Sequence, residues 1–143
     1  MKKCVGIWID HEKAVLVFIV ADKETTTSIE SNVEGRVRLS GGSRSRTPYG
    51  PQDVASERKK EERHKHQLRR YYEKIIGALG DSKQILIFGP GEAKIELEKE
   101  MKRSKELGSR IVSVDPADKM TEKQIAAKVR DFFRLDREES VWR

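Results

Sequence analysis

The chain has only one cysteine and no long apolar run, and these two features set the first limits on its structure. Its 143 residues include one cysteine, Cys4, so neither an internal disulfide nor a cysteine-rich zinc site can form within one chain. No apolar stretch approaches the roughly 20 residues that a transmembrane helix requires, and the N-terminus shows no cleavage-site pattern. The sequence therefore predicts a soluble, cytoplasmic protein with no membrane partner, in which Cys4 is a small core residue.

The hydrophobic content is also modest, at 36% of the residues. A chain of this length and composition can bury one core of moderate size, which indicates a single domain over residues 1–143. No internal repeat or heptad pattern is visible. The fold is therefore expected to be one small globular unit.

The apolar pattern predicts an α/β domain in which strands come first. The predicted elements are strands at 4–9, 13–20 and 24–30 with 35–39, a helix at 53–79, a strand at 84–88, a helix at 92–107 ending at Gly108, a strand at 110–114 and a helix from Thr121 to about Leu135. Thr121 and Gln124 are spaced as a capping box at the start of the last helix. This order is typical of ribonuclease H-like domains, so we expect a mixed sheet of about five strands with three main helices.

Positive charge is concentrated in one segment. Residues 36–70 contain eleven Lys and Arg residues against four acids, a formal charge of +7, whereas the whole chain carries +6. Bases grouped in this way release counterions from a polyanion, so a nucleic acid is the expected partner. Because acids interleave with the bases, a solvated helix surface that binds nothing is the alternative interpretation.

A loop and a long helix carry this charge. Residues 40–52 contain Gly and Pro and almost no apolar side chain, which predicts a mobile surface loop. Asp53 is a suitable N-cap for the helix at 53–79. The apolar stripe of that helix is confined to its second half, after Gln67, so the first half is expected to project from the body as an exposed basic arm.

At the junction of the loop and the helix, the chain resembles a known family. The residues that carry the resemblance are Gly50-Pro51-Gln52, Ala55, Arg58, Lys59, Lys60, Arg63, His64 and Tyr71. They are similar to the Gly-Gly-Gln loop and basic helix in the central domain of eukaryotic and archaeal class-1 peptide-chain release factors. Residues 85–94 resemble the strand, turn and helix that follow in release factors and in their relative Pelota. The chain therefore looks like a stand-alone bacterial version of that domain.

The resemblance implies a translation protein that reaches the peptidyl-transferase centre of the ribosome and promotes hydrolysis of peptidyl-tRNA in ribosome rescue. Gln52 would be the catalytic residue that helps to position water, and Gly50 and Pro51 would set the geometry of the loop. The expected RNA contacts are Arg44, Arg46, Tyr49, Arg58, Lys59, Lys60, Arg63, Lys65, Arg69 and Arg70. The implied partners are the ribosome and its ribosomal or transfer RNA, with no cofactor and no metal.

Pro51 departs from the family pattern, because it stands where release factors have their second glycine. Proline fixes φ at about −65° and removes a backbone N–H, so the loop cannot adopt every conformation that glycine permits. A non-catalytic module that binds ribosomal or transfer RNA is therefore the alternative to a hydrolase. A protein scaffold whose basic arm pairs with an acidic protein is a further class.

A metal-dependent ribonuclease H-like nuclease is another interpretation. Such nucleases hold two metal ions with carboxylates at neighbouring strand ends, and Asp10, Glu92 and Asp115 or Asp118 follow successive predicted strands. Each of these acids also suits an ordinary turn or helix start. His64 and His66 are two residues apart on a helix and so do not share a face, which argues against a metal pair.

Overall fold

A computed structural model describes residues 3–21, 23–31 and 50–141 of the chain. Within these residues there are five strands and four helices. They are β1 (Lys3–Ile9), β2 (Lys13–Val20), β3 (Lys23–Glu30), α1 (Gly50–Leu79), β4 (Gln84–Gly89), α2 (Ala93–Met101), α3 (Lys105–Gly108), β5 (Ile111–Pro116) and α4 (Glu122–Val141). No helix in the described part of the chain is long and apolar enough to cross a membrane.

The strands form one mixed sheet with the order β3-β2-β1-β4-β5. The first three strands are antiparallel neighbours, joined at β1 to the parallel strands β4 and β5. Parallel neighbours need a crossover connection, and the helices between β3 and β4 and between β4 and β5 supply it. This arrangement confirms the predicted α/β fold with a ribonuclease H-like order of elements.

Helices cover both faces of the sheet, so its central strands are buried on both sides. Val5, Ile7 and Ile9 of β1 pack toward α1 and α2, whereas Cys4 and Trp8 pack toward α4. Successive side chains of a strand point to opposite faces of the sheet. Because helices cover both faces, both sets of side chains are apolar, and the sequence of β1 is a nearly continuous apolar run. The burial of Cys4, which is 8% exposed, confirms its predicted place in the core.

The third strand contains the first of its two predicted pieces, residues 24–30. In the structure it covers Lys23–Glu30, and its pairing with β2 runs from Lys23 opposite Val20 to Glu30 opposite Lys13. The second predicted piece, residues 35–39, lies outside the described residues. The Thr-rich composition of β3 suits this edge position, since β-branched polar side chains tolerate a strand with exposed faces.

The helix predicted over residues 92–107 is broken in two, which corrects the sequence analysis. The chain leaves α2 after Met101, and Ser104 takes an extended conformation with ψ of 122°. The Ser104 hydroxyl then accepts a hydrogen bond from the Leu107 N–H at 3.3 Å, so this residue caps a new short helix. Gly108 is not the C-cap that was predicted, because it is the last residue of α3 and Ser109, with φ of −70°, follows as the cap.

The last helix begins as predicted and ends later. The Thr121 N–H donates to Gln124 Oε1 at 2.9 Å, and the Gln124 N–H donates to Thr121 Oγ1 at 3.2 Å, which confirms the capping box. The helix continues to Val141, beyond the end predicted near Leu135. Strands β4 and β5 also extend one and two residues beyond their predicted ends, to Gly89 and Pro116.

Candidate nucleic-acid interface

The helix that carries the basic segment begins earlier than the sequence predicted. Helix α1 has 30 residues and starts at Gly50, so the backbone of Gly50, Pro51 and Gln52 is helical rather than part of a loop ending at Gln52. Proline is compatible with the first turn of a helix, where its missing N–H would have no partner and its φ is already helical. The remainder of the predicted loop, residues 40–49, lies outside the described residues.

The described side chains of α1 divide it into an exposed half and a buried half. Residues 58–63, 65 and 66 are exposed, and His64 is half-buried. Tyr71, Tyr72, Ile75 and Leu79 are buried against the sheet, each at 4% exposure or less. At 1.5 Å per residue, α1 is about 45 Å long, and those of its described side chains that are buried on the body lie in its last third.

Seven of the predicted RNA-binding residues lie together on this helix. They are Arg58, Lys59, Lys60, Arg63, Lys65, Arg69 and Arg70, and all seven are exposed. Among the described residues, none of the seven forms an ion pair within 4.0 Å. Arg44, Arg46 and Tyr49 lie outside the described residues. The structure thus places seven exposed positive charges, without an ion pair among the described residues, on one helix.

Two adjacent tyrosines attach the buried half of α1 to the domain. The Tyr71 hydroxyl donates to the backbone oxygen of Asp10, in the β1–β2 turn, at 2.9 Å. The Tyr72 hydroxyl donates to Glu96 Oε1 of α2 at 2.5 Å. Their rings are 5.4 Å apart and tilted by 35°. Each hydroxyl is therefore satisfied while its ring stays in the core, as buried tyrosines require.

Burial keeps both tyrosines protonated. Loss of solvation raises the pKa of Tyr71 far above its ordinary value, and the carboxylate of Asp10 raises it further. Burial is also the main cause of the raised pKa of Tyr72, and its hydrogen bond to the Glu96 carboxylate adds to it. In each case the neutral phenol is favoured because a buried phenolate would lose its hydration.

His11, in the β1–β2 turn, joins the same network. Its Nε2 lies 3.1 Å from Glu96 Oε1, the oxygen that also accepts the Tyr72 hydroxyl. The His11 backbone oxygen accepts the hydroxyl of Ser31 at 2.7 Å. The partners are 85 and 24 residues from Glu96 along the chain, so no local pattern could reveal them. The one available signal was the pair of tyrosines, whose polar tips need partners when the rings are buried.

Two of the carboxylates of the nuclease interpretation, those of Asp10 and Asp115, are engaged in local structure. Asp10 Oδ1 accepts the backbone N–H groups of Glu12 and Lys13, each at 2.8 Å, which closes the β1–β2 turn. Asp115 Oδ1 accepts the Ser113 hydroxyl at 2.7 Å. No group of three His, Cys, Asp or Glu side chains able to hold a metal ion occurs among the described residues.

Comparison with known proteins gives a likeness of fold. No protein-family model matches the chain. No curated protein matches it either. The solved structure of the Pelota protein of Thermoplasma acidophilum is 16% identical, with a TM-score of 0.51 over 84% of this chain and 29% of that chain. The Pelota of Archaeoglobus fulgidus is 14% identical, with a TM-score of 0.50 over 96% of this chain and 37% of that one.

An archaeal translation termination factor, aRF1, is a third structural neighbour. It is 16% identical, with a TM-score of 0.49 over 97% of this chain and 42% of that chain. The chain thus spans about a third of the length of the two Pelota proteins. The likeness to the two Pelota structures establishes a shared domain fold, which is the fold that the resemblance at residues 50–94 had implied.

Proposed function

We propose that this chain is a release-factor-like protein that binds the ribosome, or a transfer RNA on it, through helix α1. The observation that carries the proposal is the set of seven exposed bases between Arg58 and Arg70, in a domain with the fold of a Pelota domain. Exposed bases on a rigid helix neutralise phosphates and release their counterions. The hydroxyls of Tyr71 and Tyr72 hold the other half of the helix on the body, so the bases are presented at a fixed position.

We further propose that Gln52, in the first turn of α1, promotes release of the nascent peptide. The reaction is attack of water on the carbonyl carbon of the ester that joins peptide to transfer RNA. The bond from that carbon to the ribose oxygen breaks, and the proton of the water passes to the leaving oxygen. Gln52 lies beyond the exposed bases, at the end of α1 farthest from the body, which is the end that would enter an RNA-lined site.

The backbone of Gly50, Pro51 and Gln52 favours a second candidate function, that of a binding module without catalysis. These residues begin the helix, and Pro51 lacks the N–H that the corresponding glycine would offer. A glutamine held in a helical turn has less freedom to approach a reacting ester than one in an open Gly-Gly loop. Binding and release must therefore be measured separately.

Co-sedimentation with purified bacterial ribosomes over a salt series tests the binding proposal. We expect saturable binding that survives near-physiological salt and is lost when Arg58, Lys59, Lys60 and Arg63 are all changed to Gln. If those bases contact phosphates, the slope of log K against log salt should become shallower by about 3. Binding no tighter than that to arbitrary RNA, or unchanged binding of the variant, would refute the proposal.

Peptide release from ribosomes that carry a labelled peptidyl-tRNA tests Gln52. We expect Gln52→Ala to keep ribosome binding and to lower the release rate by about a hundredfold, because positioning of water is lost. Release by the variant at the rate of the unchanged protein would remove Gln52 from the mechanism. Binding without release by the unchanged protein would establish the non-catalytic module instead.

A further inference from the structure

Seven of the eight Lys and Arg residues of α1, all except Lys60, fall on two different faces of the helix. Successive residues are rotated by about 100° around the axis, so side chains that recur every three or four positions line one face. One such line consists of Lys59, Arg63, His66, Arg70 and Lys74, all exposed, and is called the basic stripe below. Its centre lies about 140° around the helix from the buried side chains Tyr71, Ile75 and Leu79. The basic stripe therefore points away from the body.

Three further bases form a separate group. Arg58, Lys65 and Arg69 are exposed and lie about 120° around the helix from the centre of the basic stripe. We call them the flanking trio. The two groups share one helix and one stretch of chain, and they differ only in the direction that they face.

Acidic residues are associated with the flanking trio more than with the basic stripe. Each member of the trio has a glutamate four residues away, at the spacing where opposite charges attract across one turn. The residues at this spacing are Arg58 and Glu62, Lys65 and Glu61, and Arg69 and Glu73, although none of these charges comes within 4.0 Å of its neighbour in the structure. Lys59, Arg63 and Arg70 of the stripe have no acid at that spacing, although Lys59 and Arg70 have one three residues on. The face of the basic stripe thus has the greater net positive charge.

We infer that α1 lies lengthwise along an RNA strand with the basic stripe facing the phosphates and the flanking trio turned aside. This inference rests on the proposed ribosome binding and specifies which face of α1 makes it. The stripe is about 22 Å long, and its members follow at about 5 to 6 Å. The straight row of Lys and Arg charges in the stripe suits a sugar–phosphate backbone, which also repeats its charge along a line.

An RNA backbone fits the basic stripe better than an acidic protein does. Protein interfaces usually contain a buried apolar or aromatic centre with charges at the rim. Among the described side chains of the whole domain, Val112 in β5 is the one large apolar residue that is exposed, and it lies on a different element. The stripe offers the positive charge that phosphate contacts require, and it lacks the apolar anchor that a protein interface would require.

Two variants of equal charge and composition test the orientation. The stripe variant is Lys59→Gln, Arg63→Gln, Arg70→Gln, and the flank variant is Arg58→Gln, Lys65→Gln, Arg69→Gln. Each removes one Lys and two Arg over the same length of α1, so the loss of net charge is identical. Binding to purified bacterial ribosomes and to a short RNA duplex is measured over a salt series, with far-ultraviolet circular dichroism to verify folding.

We expect the stripe variant to bind about 30-fold to 1,000-fold more weakly, with a salt slope shallower by about 2 to 3, and the flank variant to bind about 3-fold to 10-fold more weakly, with a slope shallower by about 1 or less, because its bases attract the RNA only at longer range. A charge-preserving variant, Lys59→Arg, Arg63→Lys, Arg70→Lys, should bind nearly as well as the unchanged protein. Equal losses in the stripe and flank variants, or a larger loss in the flank variant, would overturn the orientation while leaving ribosome binding intact. If the unchanged protein binds neither probe, the proposed function itself fails.

Discussion

Replacement of Gly89 by alanine is expected to destabilise the folded protein severely. Gly89 ends β4 with φ of +150°, a conformation that residues with a side chain rarely adopt. An added Cβ would lie 3.1 Å from the backbone nitrogen of Ile9 and 3.2 Å from its carbonyl carbon, and closer still to its carbonyl oxygen. All three atoms belong to the backbone of the neighbouring central strand β1, which cannot move without breaking the sheet.

The expected loss exceeds about 4 kcal/mol, out of a total stability of about 5–15 kcal/mol for a domain of this kind. Urea unfolding followed by circular dichroism measures it. Two other glycines provide matched Gly→Ala controls. Gly91→Ala places a Cβ in open space at φ of +67° and should cost about 1–2 kcal/mol. Gly77→Ala, in open space on α1, should stabilise the protein by about 0.5–1 kcal/mol. A Gly89→Ala protein within about 1 kcal/mol of the original would refute the steric argument.

The elements that the sequence predicted well are those defined by local patterns. The β1–β2 hairpin follows from two apolar runs separated by a polar turn, and the start of α4 follows from the Thr121–Gln124 capping box. The exposed half of α1 was predictable for the same reason, because residues 58–67 contain no large apolar side chain to bury. Local chemistry decides these features before any tertiary contact forms.

The errors arose where local signals are ambiguous. Gly50 and Pro51 are typical of loops, yet both are also compatible with a helix start, so the beginning of α1 was placed three residues late, at Asp53. The interruption between α2 and α3 depends on Ser104, whose hydroxyl can cap a helix or sit within one at little cost. The start of α1 and the break between α2 and α3 are therefore decided by how the surrounding chain packs, which local sequence does not show.

The attachment of α1 could not be predicted from the sequence at all. The Tyr71 hydroxyl meets an oxygen 61 residues away, and His11 meets Glu96 across 85 residues. Only the strand order brings the β1–β2 turn beside α1 and α2. The sequence thus identified the charged half of the candidate interface and missed the contacts that fix it to the domain.

High pH is expected to release the attachment of α1 to the domain through Tyr71 and Tyr72 and to unfold the protein. The ordinary pKa of tyrosine is about 10, which applies in the unfolded chain. Burial raises the pKa of Tyr71 and Tyr72 in the folded protein, so between pH 10 and those higher values the unfolded state loses two protons that the folded state keeps. The stability due to these phenols is thus complete below pH 10 and is lost as the pH rises above it.

The two tyrosines together should lower the free energy of unfolding by about 2.7 kcal/mol per pH unit above pH 10, or about 4 kcal/mol at pH 11.5. Urea unfolding from pH 7.5 to 11.5 tests this against the double variant Tyr71→Phe, Tyr72→Phe. The variant should be less stable at pH 7.5, because two hydrogen bonds are lost, by about 1–3 kcal/mol. Its stability should fall less steeply at high pH, so the two curves converge and cross.

The comparison isolates the buried phenols because every lysine, and the third tyrosine, Tyr49, is common to both proteins. Parallel curves would show that the phenols of Tyr71 and Tyr72 do not control the alkaline transition. Convergence would link the stability of the domain to the same two hydroxyls that hold α1 in place. Ribosome binding by the double variant at neutral pH would then show whether the basic stripe needs a fixed helix, since a detached α1 keeps its charges but must be ordered again on binding.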